Sequence, residues 1–324
     1  MNSTERVRNI ILGKPVDRQP IYCWTGSRIR DKICSKWGSV EAFQDHYEFD
    51  MAHIFGGPRT FKQETLDKIM AENGEVPPDI LMESDYYNSP DDPQCFEAVK
   101  KSIEFHKERG RFCYVQTPGF FECFNEAFGI QNHLMYLLMY PDEIETLYKK
   151  HVDWVIRYAD TCIDLGADMI HISDDWGSQK DLMFSPELWW KLVYPNMKQV
   201  IDHVHSRGVF ASLHSDGCIA TVADGIVELG LDMVHPWQEN AGMSHELYLE
   251  KYADKFAILG GICVQSAIGL LPQDKLEQEI RRVFANLKGK RWVCCSSHFV
   301  QPHCSMEDLE FAYDLIYKLA RESC

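Results

Sequence analysis

Long apolar runs are missing from this chain of 324 residues, and so are the usual cysteine signatures. No stretch approaches the roughly 20 apolar residues that a membrane span needs, which argues against an integral membrane protein. Residues 1–13 carry charges and no uninterrupted apolar core, so a secretory leader is not expected. The twelve cysteines include no Cys-x-x-Cys pair, which speaks against a thiolate zinc finger, and Cys23, Cys113 and Cys294 sit inside apolar segments. Reduced thiols and a cytoplasmic location are expected. Positive charge is scarce: 33 Lys and Arg face 49 Asp and Glu, a formal charge of −16. With no basic run, nucleic acid and anionic membranes are poor partners. Internal repeats and low-complexity segments are absent too.

What the chain does have is an alternation of short apolar runs with amphipathic segments. The stretch VFASLHSDG, residues 209–217, shows the unit: an apolar run opens onto His214, Ser215 and Asp216, and Gly217 closes the turn. Amphipathic segments flank it at 186–207 and 219–229. Strands are expected over 21–24, 51–55, 112–116, 169–172, 209–213, 232–234, 257–260 and 292–295. Helices are expected over 5–12, capped by Ser3 or Thr4, and over 39–47, 131–139, 141–165, 244–252, 273–287 and 305–320. Another should run from a cap at Asp92 to Arg109. Prolines crowd residues 59–91, which read as an insertion after the second strand, a hairpin lying over the rim. Residues 117–129 read as a Gly/Phe-rich loop. Eight strands alternating with helices indicate an α/β fold, a single (β/α)8 TIM barrel filling residues 1–324. A doubly wound sheet would need a Gly-rich phosphate turn after its first strand, and Tyr22-Cys23-Trp24-Thr25-Gly26 is not one.

In such a fold the C-terminal strand ends form one rim, where sites are built. The residues there are Trp24 and Thr25, Gly56 and Gly57, Gln116 and Thr117, Asp174 to Trp176, His214 and Asp216, His235, Gln238 and Glu239, Cys263 and Gln265, and His298 and Gln301. Each has a plain structural reading as well. Asp174 and Asp175 can cap the next turn, or one can touch substrate or a metal-bound water, and adjacent carboxylates at a buried rim raise one another's pKa. His214 alone would be a hydrogen-bonded core histidine; with Asp216 two residues on and His298 at another strand end, a site is the better reading. His235 before Pro236 leans to a supporting role. Of Cys294 and Cys295 only one can point inward, and burial is expected. Trp189, Trp190 and Tyr194 should pack a helix face.

The segments ERVRNIILGKPVDRQPIYCW, DDWGSQKDLMFSPELWW, LHSDG, DMVHPWQ, AILGGICVQ and SSHFVQPHCSMEDLEFAYDLI resemble the uroporphyrinogen decarboxylase superfamily from end to end. That resemblance implies a TIM barrel and one of two activities: decarboxylation of uroporphyrinogen, or zinc-dependent methyl transfer involving a corrinoid protein. The decarboxylases carry arginines after strand one and an aspartate after strand two. Here Thr25 stands at the first arginine position, Arg28 only near the second, and Gly57 replaces the aspartate, whereas His298 is kept. Eight substrate carboxylates would be unfavourable beside this charge without those arginines.

The methyltransferases bind zinc through His-x-Cys after strand five and Cys after strand eight, positions held here by His214, Asp216 and His298. The resemblance therefore implies a methyltransferase working between a methyl ether, amine or thiol and a corrinoid (cobalamin-type) group on a partner protein. Zinc would sit on His214, Asp216 and His298; this harder ligand set also suits iron or manganese. Asp174, Asp175, Glu239 and His298 would be catalytic. Trp24, Gln116, Trp176, His235, Gln238, Gln265 and Gln301 would line the substrate. A homodimer is compatible with the family. The alternatives are uroporphyrinogen decarboxylase itself and a non-catalytic binder of tetrapyrrole or corrinoid.

Overall fold

A computed structural model describes residues 1–322. The chain is α/β, with a parallel sheet of seven strands taken in chain order. They are β1 (Met51–Ile54), β2 (Phe112–Pro118), β3 (Met169–Ser173), β4 (Phe210–His214), β5 (Met233–His235), β6 (Ala257–Ile262) and β7 (Trp292–Ser296). The chain divides into two compact units, one built from 1–53, 106–113 and 232 onward, the other from 54–105 and 114–231.

In the first unit β5, β6 and β7 run parallel, with Met233 opposite Ala257 and Ile258 opposite Trp292. The runs AILGGI and WVCCS are almost wholly buried, as strands covered on both faces must be. Cys294 and Cys295 are therefore both fully buried, although they point to opposite faces. The strand expected at 21–24 shrinks to one parallel bridge, Ile21 to Cys294. Tyr22 N–H donates to the Cys294 carbonyl at 2.8 Å and Cys294 N–H to that of Pro20 at 3.0 Å. Pro20 has no N–H to extend the ladder, and the helix Gly26–Trp37, which the sequence reading did not anticipate, starts two residues after Trp24. What pins Ile21 is Asp50, fully buried, whose carboxylate accepts the Ile21 N–H at 2.8 Å, Arg6 at 2.6 Å and Arg18 at 2.7 Å. The first helix, Ser3–Ile11, is capped by Asn2 in a box with Glu5, one residue earlier than expected.

In the second unit β2, β3 and β4 run parallel, with Gln116 opposite His171 and Ser173 opposite His214. Residues 117–129 are not all loop: Phe121–Phe128 is a helix, its Phe121, Phe124 and Phe128 buried on one stripe. Residues 59–91 are not a strand hairpin. A single antiparallel bridge, Phe61 to Tyr87, closes a segment holding the helices Gln63–Asn73 and Pro78–Glu83. The helix expected over 186–207 is interrupted by a π-segment at Trp189–Val193, one turn ahead of Pro195, which cannot donate to residue 191. Trp189 is buried there while Trp190 is exposed. Among the described residues no disulfide joins the cysteines and no helix is long and apolar enough to cross a membrane.

Candidate active site

In the second unit the ends of β3 and β4 carry a crowd of acids around one imidazole. Asp174 is fully buried; its Oδ1 accepts the Glu122 N–H at 2.7 Å, and its own N–H donates to the His214 carbonyl at 2.9 Å. Burial pushes this carboxyl up to about 7, against the pull of the Glu122 N–H and the Trp176 indole. Gly119 makes the approach feasible, since a Cβ there would meet the Ser173 carbonyl at 2.5 Å and collide with Asp174. Asp175 Oδ1 accepts the Asp216 N–H at 2.7 Å and stands 3.8 Å from His214 Nε2, which lies 4.0 Å from Asp216 Oδ1. Gly217, at φ +80°, brings these two loops together; a Cβ on it would lie 2.5 Å from the Gly177 carbonyl.

The electrostatics of this corner are one-sided. His214 is buried, and desolvation lowers its pKa, with Asp175 opposing. Asp216 is pushed up to about 7, first by burial and then by the charges of Asp175 and Glu122. Glu122 is itself raised by burial and by Asp175, while Ser173 Oγ donates to its Oε2 at 2.7 Å. A neutral imidazole beside carboxylates that repel one another is a donor set that a cation would relieve. Next to it lies a cavity of about 370 Å³, walled by Phe55, Gln116, Thr117, Glu122, Tyr158 and Ser173 among others.

The first unit contributes an aromatic cluster centred on Trp24. Its backbone is fixed by N–H donation to Ser296 Oγ at 3.2 Å and by the Val300 N–H at 2.9 Å. Its ring lies 4.6 Å from that of His298, 4.8 Å from His53 and 5.8 Å from His235. Gly26, at φ +58°, leaves room for Phe299 at 2.8 Å from where a Cβ would stand. Gln238 donates to Gln265 at 2.8 Å, and Gln301 to the Phe299 carbonyl at 3.1 Å.

The structure thus groups Trp24, His235 and His298 in one unit, and Gln116, Asp174, Asp175, His214 and Asp216 in the other. Trp176 is fully buried, its ring 5.4 Å from that of Trp189. Glu239 is bound to Arg282 at 2.6 Å and faces His245 at 3.4 Å. Glu122 and His53 were not singled out from the sequence. The stripe Phe121, Phe124, Phe128 is the signal that would have put Glu122 on a helix.

Comparison with known proteins gives a consistent picture. The structure of a methyltransferase from Methanosarcina mazei matches with a TM-score of 0.70 over 97% of this chain and 98% of its own, at 16% identity. A sugar phosphate isomerase/epimerase from Parabacteroides distasonis matches with a TM-score of 0.47 over 93% and 96%, at 10% identity. The first of these shows a shared fold. No curated protein matches the sequence. The family profile described as uroporphyrinogen decarboxylase (URO-D) matches residues 121–319, well over half the chain. The chain belongs to the uroporphyrinogen decarboxylase (URO-D) family.

Proposed function

We propose that this protein is a metal-dependent methyltransferase moving a methyl group between a small methylated substrate, an ether, amine or thiol, and a corrinoid carried by a partner protein. The observation that carries the reading is the buried imidazole of His214 set between Asp175 at 3.8 Å and Asp216 at 4.0 Å. Such a corner is poor at holding the carboxylates of a uroporphyrinogen and well suited to a cation. The fold shared with a methyltransferase agrees with it. The proposal includes closure of the sheet into a (β/α)8 barrel over the whole chain, with the Ile21 segment as first stave. In that arrangement His298, from the loop after β7, joins His214 and Asp216 as the third ligand of zinc, or of iron or manganese.

Bound there, the ion supplies Lewis acidity to the oxygen, nitrogen or sulfur that the methyl group leaves or joins. The chain's own residues do the rest. Desolvation keeps His214 neutral, with its lone pair available. Asp175 fixes the backbone of Asp216, and Asp174 ties β3 to the helix that carries Glu122. The face of Trp24 braces His298, and the Gln238–Gln265 pair offers amide groups to orient the substrate.

The test is elemental analysis of the purified protein and of His214→Ala and Asp216→Ala, together with methylation of a reduced corrinoid by methyl donors, followed by absorbance. Near-stoichiometric metal is expected, with its loss in both variants and transfer reduced at least about a hundredfold. A metal-free protein with full activity, or one that makes coproporphyrinogen from uroporphyrinogen, would overturn the reading.

A further inference from the structure

The cavity beside the acid corner is bounded by β2, β3 and the helix Phe121–Phe128, and it has a chemistry of its own. Its volume, about 370 Å³, suits a small organic molecule. Phe55, Pro58, Pro118 and Tyr158 supply apolar wall. The wall carries the thiol of Cys123 and the phenol of Tyr158, which burial keeps protonated, and three charge-bearing side chains, Arg59, Glu122 and Glu126. Arg59 and Glu126 are exposed and paired with one another, which leaves Glu122 as the uncompensated charge. One Glu122 oxygen is taken by Ser173 Oγ at 2.7 Å. Gln116 and Thr117 also line the space; the Gln116 Oε1 and the hydroxyl of Thr117, a residue 1% exposed, are buried without a hydrogen-bond partner. Buried polar groups left unsatisfied are destabilising unless something pairs with them. Both residues line the cavity, where the hydroxyl is able to donate or accept and the amide oxygen to accept.

We propose that this cavity seats the non-reacting part of the methylated substrate and selects for molecules bearing an N–H or O–H donor, cationic or neutral, against anions. Glu122 is the recognising group, accepting the donor through its second oxygen. Gln116 and Thr117 complete the polar end, and the apolar wall takes the hydrocarbon body. The assignment rests on the methyl-transfer reading for the word substrate, but the binding it describes does not need methyl transfer, metal or corrinoid.

Three probes of one size decide it: para-methoxybenzylamine, para-methoxybenzyl alcohol and para-methoxybenzoate, titrated calorimetrically into the full-length protein. The amine should bind tightest and the alcohol next, with the benzoate at least about tenfold weaker than the amine, the scale of one charge-assisted contact. Glu122→Gln should weaken the amine about tenfold and leave the alcohol within a few fold. Glu126→Gln, at the exposed mouth, frees Arg59 and should strengthen the benzoate, which keeps the test informative even if Glu122→Gln is poorly folded. Benzoate bound as well as amine, amine binding unmoved by a folded Glu122→Gln, or no binding of any probe at millimolar concentration would each overturn the proposal. The expected binding order without methyl transfer to a corrinoid would instead count against the catalytic reading alone.

Discussion

The carboxylate of Asp175 accepts the backbone N–H of Asp216 at 2.7 Å, so the loop after β3 holds the loop after β4. Removing the acceptor strands a part-buried N–H. Asp175→Ala should lower the stability to urea by about 1–3 kcal/mol. Asp175→Asn keeps an acceptor and should recover most of that loss, yet it removes the charge facing His214, so elemental analysis should still find less bound metal. Equal stability of the two variants would show that the hydrogen bond does not hold the loops.

Gly119 is required by space. A Cβ there would meet the Ser173 carbonyl at 2.5 Å and overlap Asp174, whose backbone is already bonded to His214. Rigid neighbours of this kind cannot yield cheaply, and Gly119→Ala should cost about 1–3 kcal/mol or more in urea unfolding. Gly74 is the comparison, at φ +79° but with open space around its Cβ direction. Gly74→Ala should cost about 1–2 kcal/mol, the conformational penalty alone. A Gly119→Ala no worse than Gly74→Ala would contradict the close approach.

How much of this could be seen in the sequence depended on the range of the interactions involved. The helix Gln273–Leu287 announces itself because Leu276, Ile280, Val283 and Leu287 recur on one face and are buried. His214 and Asp216 stand out because polar residues burst from an apolar run at a strand end. Glu239 sits at a strand end by the same logic, but its partner Arg282 lies 43 residues downstream, a contact no local pattern encodes. The first strand is shorter than its apolar run implies for the same reason: its length is set by Pro20 and by Asp50, not by the apolarity of Ile21, Tyr22 and Cys23. Glu122 gives no such signal, because glycines at 119 and 129 frame its short helix and its local composition is that of a loop.

Asp50 is the anchor of that first segment. Its two oxygens hold Arg6, Arg18 and the Ile21 N–H, and it is fully buried. Deleting the carboxylate takes the buried counter-charge from Arg18 and leaves Arg6 with only the exposed Asp17, at 2.7 Å, so Asp50→Ala should cost about 3–5 kcal/mol. The loss should centre on the Ile21 bridge, with faster hydrogen exchange at the Tyr22 N–H, which bonds to Cys294. Unchanged exchange at Tyr22 would separate the ion cluster from the strand.

Two buried histidines in the second unit set an acid limit on stability. His151 Nε2–H donates to the Gly119 carbonyl at 3.0 Å and Nδ1 accepts from the Tyr87 hydroxyl at 3.1 Å. His133 Nδ1–H donates to Asn125 Oδ1 at 2.8 Å and Nε2 accepts from Tyr148 at 3.1 Å. Both rings are satisfied as neutral imidazoles, and burial pulls each pKa down to about 3 from an ordinary 6.5. Below pH 6.5 the unfolded chain takes up protons at these sites and the folded chain does not, so stability is full above that point and falls towards pH 3. By pH 5 the loss is about 2 kcal/mol per histidine. Urea unfolding at pH 7.5 and 5 should show it, and His151→Gln, which carries no titrating ring, should lose about 2 kcal/mol less than the parent over that interval. A variant whose stability drops as far as the parent's would mean that His151 is already protonated in the folded protein, and with it that the Tyr87 and Gly119 bonds are not those of a neutral ring.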